Sequence, residues 1–97
     1  MGLLINKKLD GDKLLLSLEG RLDTVTAPDL EKELNTVLTI KFMDIDMEKL
    51  EYISSAGLRI ILKIQKLLNE GLRLINVKPS VKEVFDITGF SDFLNIQ

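Results

Sequence analysis

The chain has 97 residues, enough for one compact domain, and its 45% hydrophobic and 29% charged residues describe an ordinary chain with an aliphatic core, since aromatics supply only 5%. A net charge of −2 argues against a general nucleic-acid binder, which carries a basic excess or stripe. With no Cys and no His, thiol nucleophiles, zinc–thiolate sites, Ser-His-Asp triads and imidazole acid–base chemistry are all excluded.

The first apolar run, Leu3-Leu4-Ile5, is too short for a signal peptide. No stretch approaches the roughly 18 apolar residues of a spanning helix, so a cytoplasmic location and no membrane contact are expected. Leu3 to Leu9 and Lys13 to Leu18 are strand candidates joined by Asp10-Gly11-Asp12, a hairpin signal because Gly accepts positive φ. Leu14, Leu16 and Leu18 alternate with Leu15, Ser17 and Glu19, which makes one face more polar. Gly20 to Val25 reads as a loop. A helix then starts with Thr26 as cap, Pro28 in the first turn and Asp29 three residues after the cap, and Ala27, Leu30, Leu34, Val37 and Leu38 recur at helical spacing.

Ile40 to Met47 is a third strand candidate, and Lys49 to Ile53 leads on to Ser54-Ser55-Ala56-Gly57. A second helix is expected from about Ala56 to Asn69, with Leu58, Ile61, Leu62, Gln65 and Leu68 on one stripe, widened by Ile60, Ile64 and Leu67, and with Gly71 as terminator. Leu72 to Val77 is a fourth strand candidate. Pro79 opens a third helix in which Ser80 and Glu83 stand at capping-box spacing and Val81, Val84 and Phe85 face inward. Gly89 ends that helix, and Phe90, Phe93, Leu94 and Ile96 form an apolar tail with a short last strand. Strands alternating with helices favour parallel pairing, while the opening hairpin is antiparallel, so the sheet is expected to be mixed, with four to five strands and about three helices.

Four groups of residues are candidate sites. Ser54 to Gly57 precedes an apolar helix, whose first N–H groups are unpaired and favour an anion, so a phosphate on a serine there is tolerated locally. The plain structural alternative is that one serine is an N-cap and the small residues permit close packing. Asp23-Thr24-Val25-Thr26 is either a hydroxyl-rich binding loop or a capping turn. Asp44 and Asp46 share a strand face, but no third ligand accompanies them, so edge or strand-end carboxylates are expected rather than a metal site. Arg59, Lys63 and Lys66 share one side of the second helix, as a surface for an acidic partner or as a solvated face. There is no phosphate loop of the Walker or dinucleotide type, and no base, activated nucleophile or cofactor site from which to build an enzyme.

Taken together, four segments in order resemble the STAS domain, specifically the single-domain anti-sigma factor antagonists. They are Gly20-Arg21-Leu22-Asp23 with Thr26-Ala27-Pro28, Met43-Asp44-Ile45-Asp46, Tyr52-Ile53-Ser54-Ser55-Ala56-Gly57-Leu58-Arg59, and Asn76-Val77 with Val81 to Gly89-Phe90. The resemblance covers nearly the whole chain and implies a single α/β STAS domain over residues 1–97. It also implies a bacterial partner switch. The unphosphorylated antagonist binds an anti-sigma factor that is a serine kinase with a Bergerat-type ATP site. Phosphorylation by that kinase ends the interaction, and a metal-dependent serine phosphatase restores it.

The family's acceptor lies two residues before the motif glycine, which here is Ser55. Ser54 stands where an Asp is usual and is the rival acceptor; Ala56 stands where Ser or Thr is common. The implied contact surface is Asp23, Thr24, Thr26, Ser54, Ser55, Ala56, Gly57 and Arg59, on a monomer that needs no cofactor, metal or nucleic acid. An alternative within the fold is a non-phosphorylated scaffold subunit, for example of a lipid-transport complex.

Overall fold

A computed structural model describes residues 2–35 and 40–97. Their order is β1 (Leu3–Asp10), β2 (Lys13–Leu22), α1 (Ala27–Asn35), β3 (Phe42–Ile53), α2 (Ser55–Leu68), β4 (Leu72–Ile75) and α3 (Pro79–Ile87). Short 3-10 turns occupy Asn69–Gly71 and Phe90–Asp92. The strands form one sheet in the order β1-β2-β3-β4; β1 and β2 pair antiparallel, and the other pairs are parallel. This is the mixed sheet expected of the hairpin start followed by β-α alternation. Gly11 turns the hairpin at φ +63°, the backbone region that a side chain disfavours.

The leucine alternation in β2 sets the core. Leu14 and Leu16 lie opposite Met43 and Ile45 of β3, which lie opposite Leu72 and Leu74 of β4, and all six are buried. Leu30 of α1, Leu58, Ile61 and Ile64 of α2, and Val81 and Phe85 of α3 close over this face. Leu15, Ser17 and Asp46, at the alternate positions, remain half-buried. On the half-open face Asp44 is buried and accepts two hydrogen bonds from the Arg73 guanidinium, at 2.9 and 2.7 Å, with Lys13 Nζ at 3.4 Å. Arg73 holds the Asp44 carboxyl below its ordinary pKa range. These two residues are register partners on β3 and β4, so the ion pair ties two strands together. Asp44 was expected at an edge or strand end; it lies near the start of β3, as its third residue, but β3 is an interior strand.

Several boundaries differ from the sequence reading. Gly20-Arg21-Leu22 is the end of β2, not a loop, because Glu19 to Leu22 pair with Lys49 to Ile53 and Leu22 is buried. For the same reason β3 runs on to Ile53 instead of stopping at Met47. β4 stops at Ile75, where Asn76 takes φ 55°. The expected last strand is reduced to a single bridge between Leu74 and Ile96, so the sheet has four strands.

The helices differ too. α2 buries Gly57, Leu58, Ile61 and Ile64, while Leu62 and Gln65 are only half-buried and Leu67 is 64% exposed, so the apolar stripe is narrower than expected. Asn69, at φ 52°, ends α2. Gly71 does not terminate it, but is required because a Cβ there would sit 2.2 Å from the Lys41 carbonyl oxygen. α3 is preceded by Lys78 without a side-chain cap, with Pro79 in its first turn, so Ser80 lies inside the helix and the Ser80–Glu83 capping box does not form. Val37 and Leu38 lie outside the described residues.

Candidate functional site

Leu22 and Ile53 are register partners at the C-terminal ends of two parallel strands. The segments leaving them, residues 23–26 into α1 and Ser54 into α2, therefore emerge side by side at one edge of the sheet. The Ser54 N–H donates to the Leu22 carbonyl at 2.9 Å and joins the two. Gly57, buried in the first turn of α2, brings the helix onto this junction. A Cβ there would lie 2.7 Å from Leu22 Cγ, 2.9 Å from the Leu22 carbonyl oxygen and 3.0 Å from Ile53 Cγ1. The two sequence segments singled out separately thus form one surface.

The serines have different environments. Ser54 is extended (φ −101°, ψ 175°), and its Oγ accepts the Gly57 N–H at 3.3 Å, so it is the N-cap of α2. Ser55 is the first helical residue and is exposed, and its hydroxyl has no hydrogen-bond partner among the described residues. Ala56 is half-buried. Arg59, exposed, stands one turn beyond Ser55 on the same side of the helix. Lys63 bonds Glu31 of α1.

The neighbouring loop is fixed by its own polar groups. Asp23 Oδ1 accepts the N–H groups of Val25 and Thr26 at 3.0 and 3.1 Å. The buried Thr26 hydroxyl accepts the Asp23 N–H at 2.8 Å and donates to the Arg21 carbonyl at 2.8 Å. Thr26 was expected to cap α1, but its side chain turns back and locks the loop. The Thr26 N–H, the Val25 N–H, the Thr26 hydroxyl and nearby Arg21 together hold the Asp23 carboxyl below the usual aspartate range. Thr24 and Val25 project from this frame, Val25 at 82% exposure. On the adjoining strands the Arg21 guanidinium stacks 4.3 Å from the centre of the Tyr52 ring, with Arg21 Nε 3.7 Å from Asp23 Oδ2.

Val25, Arg21 and Tyr52 lie in segments that the sequence singled out, but none was among the expected contact residues. An exposed valine in a hydroxyl-rich loop was the available signal for the first. The Arg21–Tyr52 pair becomes visible only once β2 and β3 are in register. No group of three or more His, Cys, Asp or Glu suited to a metal occurs among the described residues. No described helix is long and apolar enough to cross a membrane.

Residues 5–97 match the STAS domain family model. The mixed sheet with a hairpin start is thus that of a STAS domain, and the chain belongs to the anti-sigma factor antagonist family, a group of non-enzymatic regulators. The chain is 40% identical over 86% of its length to BtrV of Bordetella bronchiseptica, assigned as an anti-sigma factor antagonist, and the match covers 75% of that protein. It is 30% identical over 79% of its length to the anti-sigma-B factor antagonist of Staphylococcus aureus, covering 76% of the latter. An anti-sigma factor antagonist from Mycobacterium paratuberculosis has the same fold, with a TM-score of 0.87 at 22% identity over 98% of this chain and 85% of that one. The unphosphorylated form of SpoIIAA, also an anti-sigma factor antagonist, has it too, with a TM-score of 0.83 at 19% identity, over 97% of this chain and 88% of that one.

Proposed function

We propose that this chain is a single cytoplasmic STAS domain, monomeric, that binds an anti-sigma serine kinase when unphosphorylated and is released by phosphorylation on Ser55. A metal-dependent serine phosphatase resets it. The observation that carries this reading is the division of labour between the adjacent serines. Ser54 Oγ is engaged in capping α2, while the Ser55 hydroxyl is exposed and unbonded among the described residues. A kinase reaches Ser55 without dismantling the helix start.

The docking surface combines Asp23 and Thr24 with Ser54, Ser55, Ala56 and Arg59, while Thr26 and Gly57, both buried, hold the loop and the helix start beneath it. Asp23 and Thr26 stiffen the loop through their bonds within it, so little order is lost on binding. A phosphate on Ser55 adds about −1.5 to −2 charge at the helix start, beside the ionised Asp23 loop. The α2 N–H groups tolerate that charge, whereas a partner packed against it loses contact through repulsion and desolvation; a penalty of about 1.4 kcal/mol already weakens binding tenfold.

The test is to incubate the protein with the cognate kinase and ATP and map the phosphate. Phosphate is expected on Ser55 and absent from Ser55→Ala, and Ser55→Asp is expected to bind the kinase at least tenfold more weakly. Phosphate confined to Ser54, or none together with unchanged binding by Ser55→Asp, overturns this reading. Recovery of transporter subunits with a Ser55→Ala protein that remains functional would replace it with the scaffold role.

A further inference from the structure

Farther along α2, a groove of 340 Å³ opens between the helix and the C-terminal segment, lined by Leu62, Gln65, Lys66, Asn69, Phe90 and Phe93. Its volume lies within the range of small binding clefts. Phe93 stands at its wall 68% exposed, although the segment around it is anchored by buried Leu94 and by the Leu74–Ile96 bridge. Gln65 Oε1 is shut off from solvent and has no hydrogen-bond partner among the described residues.

Charge indicates what fits. Over Ser55–Leu68, α2 carries Arg59, Lys63 and Lys66 and no acidic residue, in a chain whose net charge is −2. Glu31 neutralises Lys63, whereas Lys66, at the rim of the groove, has no ion-pair partner among the described residues. The groove is also within reach of a partner seated on the switch. Ser55 and Lys66 are separated by about 16 Å along the helix axis, less than the span of an ordinary protein interface of about 800 Å² per side.

We propose that this groove is a second docking point for the anti-sigma factor, holding an apolar side chain from an acidic segment of it. Phe90, Phe93 and Leu62 enclose that side chain, and Lys66 pairs with a carboxylate. The proposal rests on the anti-sigma partnership but not on the phosphorylation of Ser55.

The experiment is calorimetric titration of the full chain with the purified cognate anti-sigma kinase. Lys66→Glu and Phe93→Ala alter exposed side chains and are expected to keep the wild-type circular dichroism spectrum. Each is expected to raise Kd at least tenfold, and to raise KM for phosphorylation while leaving kcat unchanged. Lys8→Glu, on β1, makes the same charge change away from α2 and is expected to stay within twofold of wild type.

A Lys66→Glu effect no larger than that of Lys8→Glu, or an unchanged Kd for Phe93→Ala, overturns the proposal. So does a shift of the two groove variants in a monomer–dimer equilibrium by sedimentation without a change in kinase affinity, which would give the groove to a second copy. A wild-type chain that does not bind the kinase overturns both readings. If Ser55→Asp binds normally while Lys66→Glu does not, the groove stands and the switch fails; the opposite pattern removes the groove alone.

Discussion

Two neighbouring serines of identical chemistry carry different loads. Losing the Ser54 hydroxyl frees the Gly57 N–H at the start of α2, so Ser54→Ala should cost about 1 kcal/mol of stability. Ser55→Ala touches no hydrogen bond among the described residues and should stay within about 0.5 kcal/mol of wild type. Urea denaturation of the two variants reads this difference directly, and equal losses would contradict the assignment of Ser54 as the cap. At Gly57 the obstacle to a side chain is partly backbone, the Leu22 carbonyl oxygen, which cannot swing away. Gly57→Ala should therefore destabilise by about 1–3 kcal/mol. In a calorimetric scan that lowers Tm by about 4–8 °C for each kcal/mol in a domain of this size.

Among the elements, β3 is the organising strand. It pairs with β2 along nearly its whole length, whereas only Met43 to Asp46 meet β4. The Asp44–Arg73 pair sits in that short β3–β4 ladder. Arg73→Leu leaves a buried carboxylate with only Lys13 Nζ, 3.4 Å away, so a loss of about 2 kcal/mol is expected at neutral pH. That loss should shrink in acid, because a protonated Asp44 no longer needs a cation. Paired denaturation curves of wild type and variant at successive pH values measure it, and a pH-independent difference would mean that lost packing, not charge, is responsible.

For the molecule as a whole, the same logic sets the pH response. Asp23, Asp44 and Asp86 all titrate below their ordinary range in the folded protein: Asp23 through the Thr26 N–H, Asp44 through Arg73, and Asp86 through Ser91 and then Lys82. A carboxyl whose folded pKa is depressed stabilises the fold above its unfolded value and loses that contribution as pH falls through the folded one. Stability should thus decline below about pH 4. With no histidine in the chain, no side chain of ordinary pKa changes charge between about pH 6 and 8, so the urea midpoint should be flat there. A midpoint that moves across this interval would reveal a titrating group that the described structure does not account for.

Much of this architecture was legible before any coordinates. The Asp10-Gly11-Asp12 turn, the alternation of Leu14, Leu16 and Leu18, and the switch from period two to helical spacing are local signals that specify the hairpin, the buried face and the helix order. The segments around Asp23 and Ser55 were open to plain capping readings from residue types alone, and only the resemblance to the STAS domain joined them into a candidate surface. What the chain could not reveal by itself were consequences of pairing between distant segments. Gly20 to Leu22 look like a loop until Lys49 to Ile53 lie beside them and satisfy their backbone groups. Asp44 reads as an edge or strand-end carboxylate, and its ion pair is invisible until β4 delivers Arg73 across from it. The Thr26 hydroxyl has two plausible uses, and its choice depends on where the end of β2 holds Asp23 and the Arg21 carbonyl. Local pattern determined which faces are apolar and where the chain turns, because those follow from the side chain and its own backbone. Register, strand length and the use of the Thr26 hydroxyl were decided by the folded structure, because each depends on which hydrogen-bonding groups other segments bring within about 3 Å; the cap at Ser54, by contrast, is local, made to Gly57 three residues on.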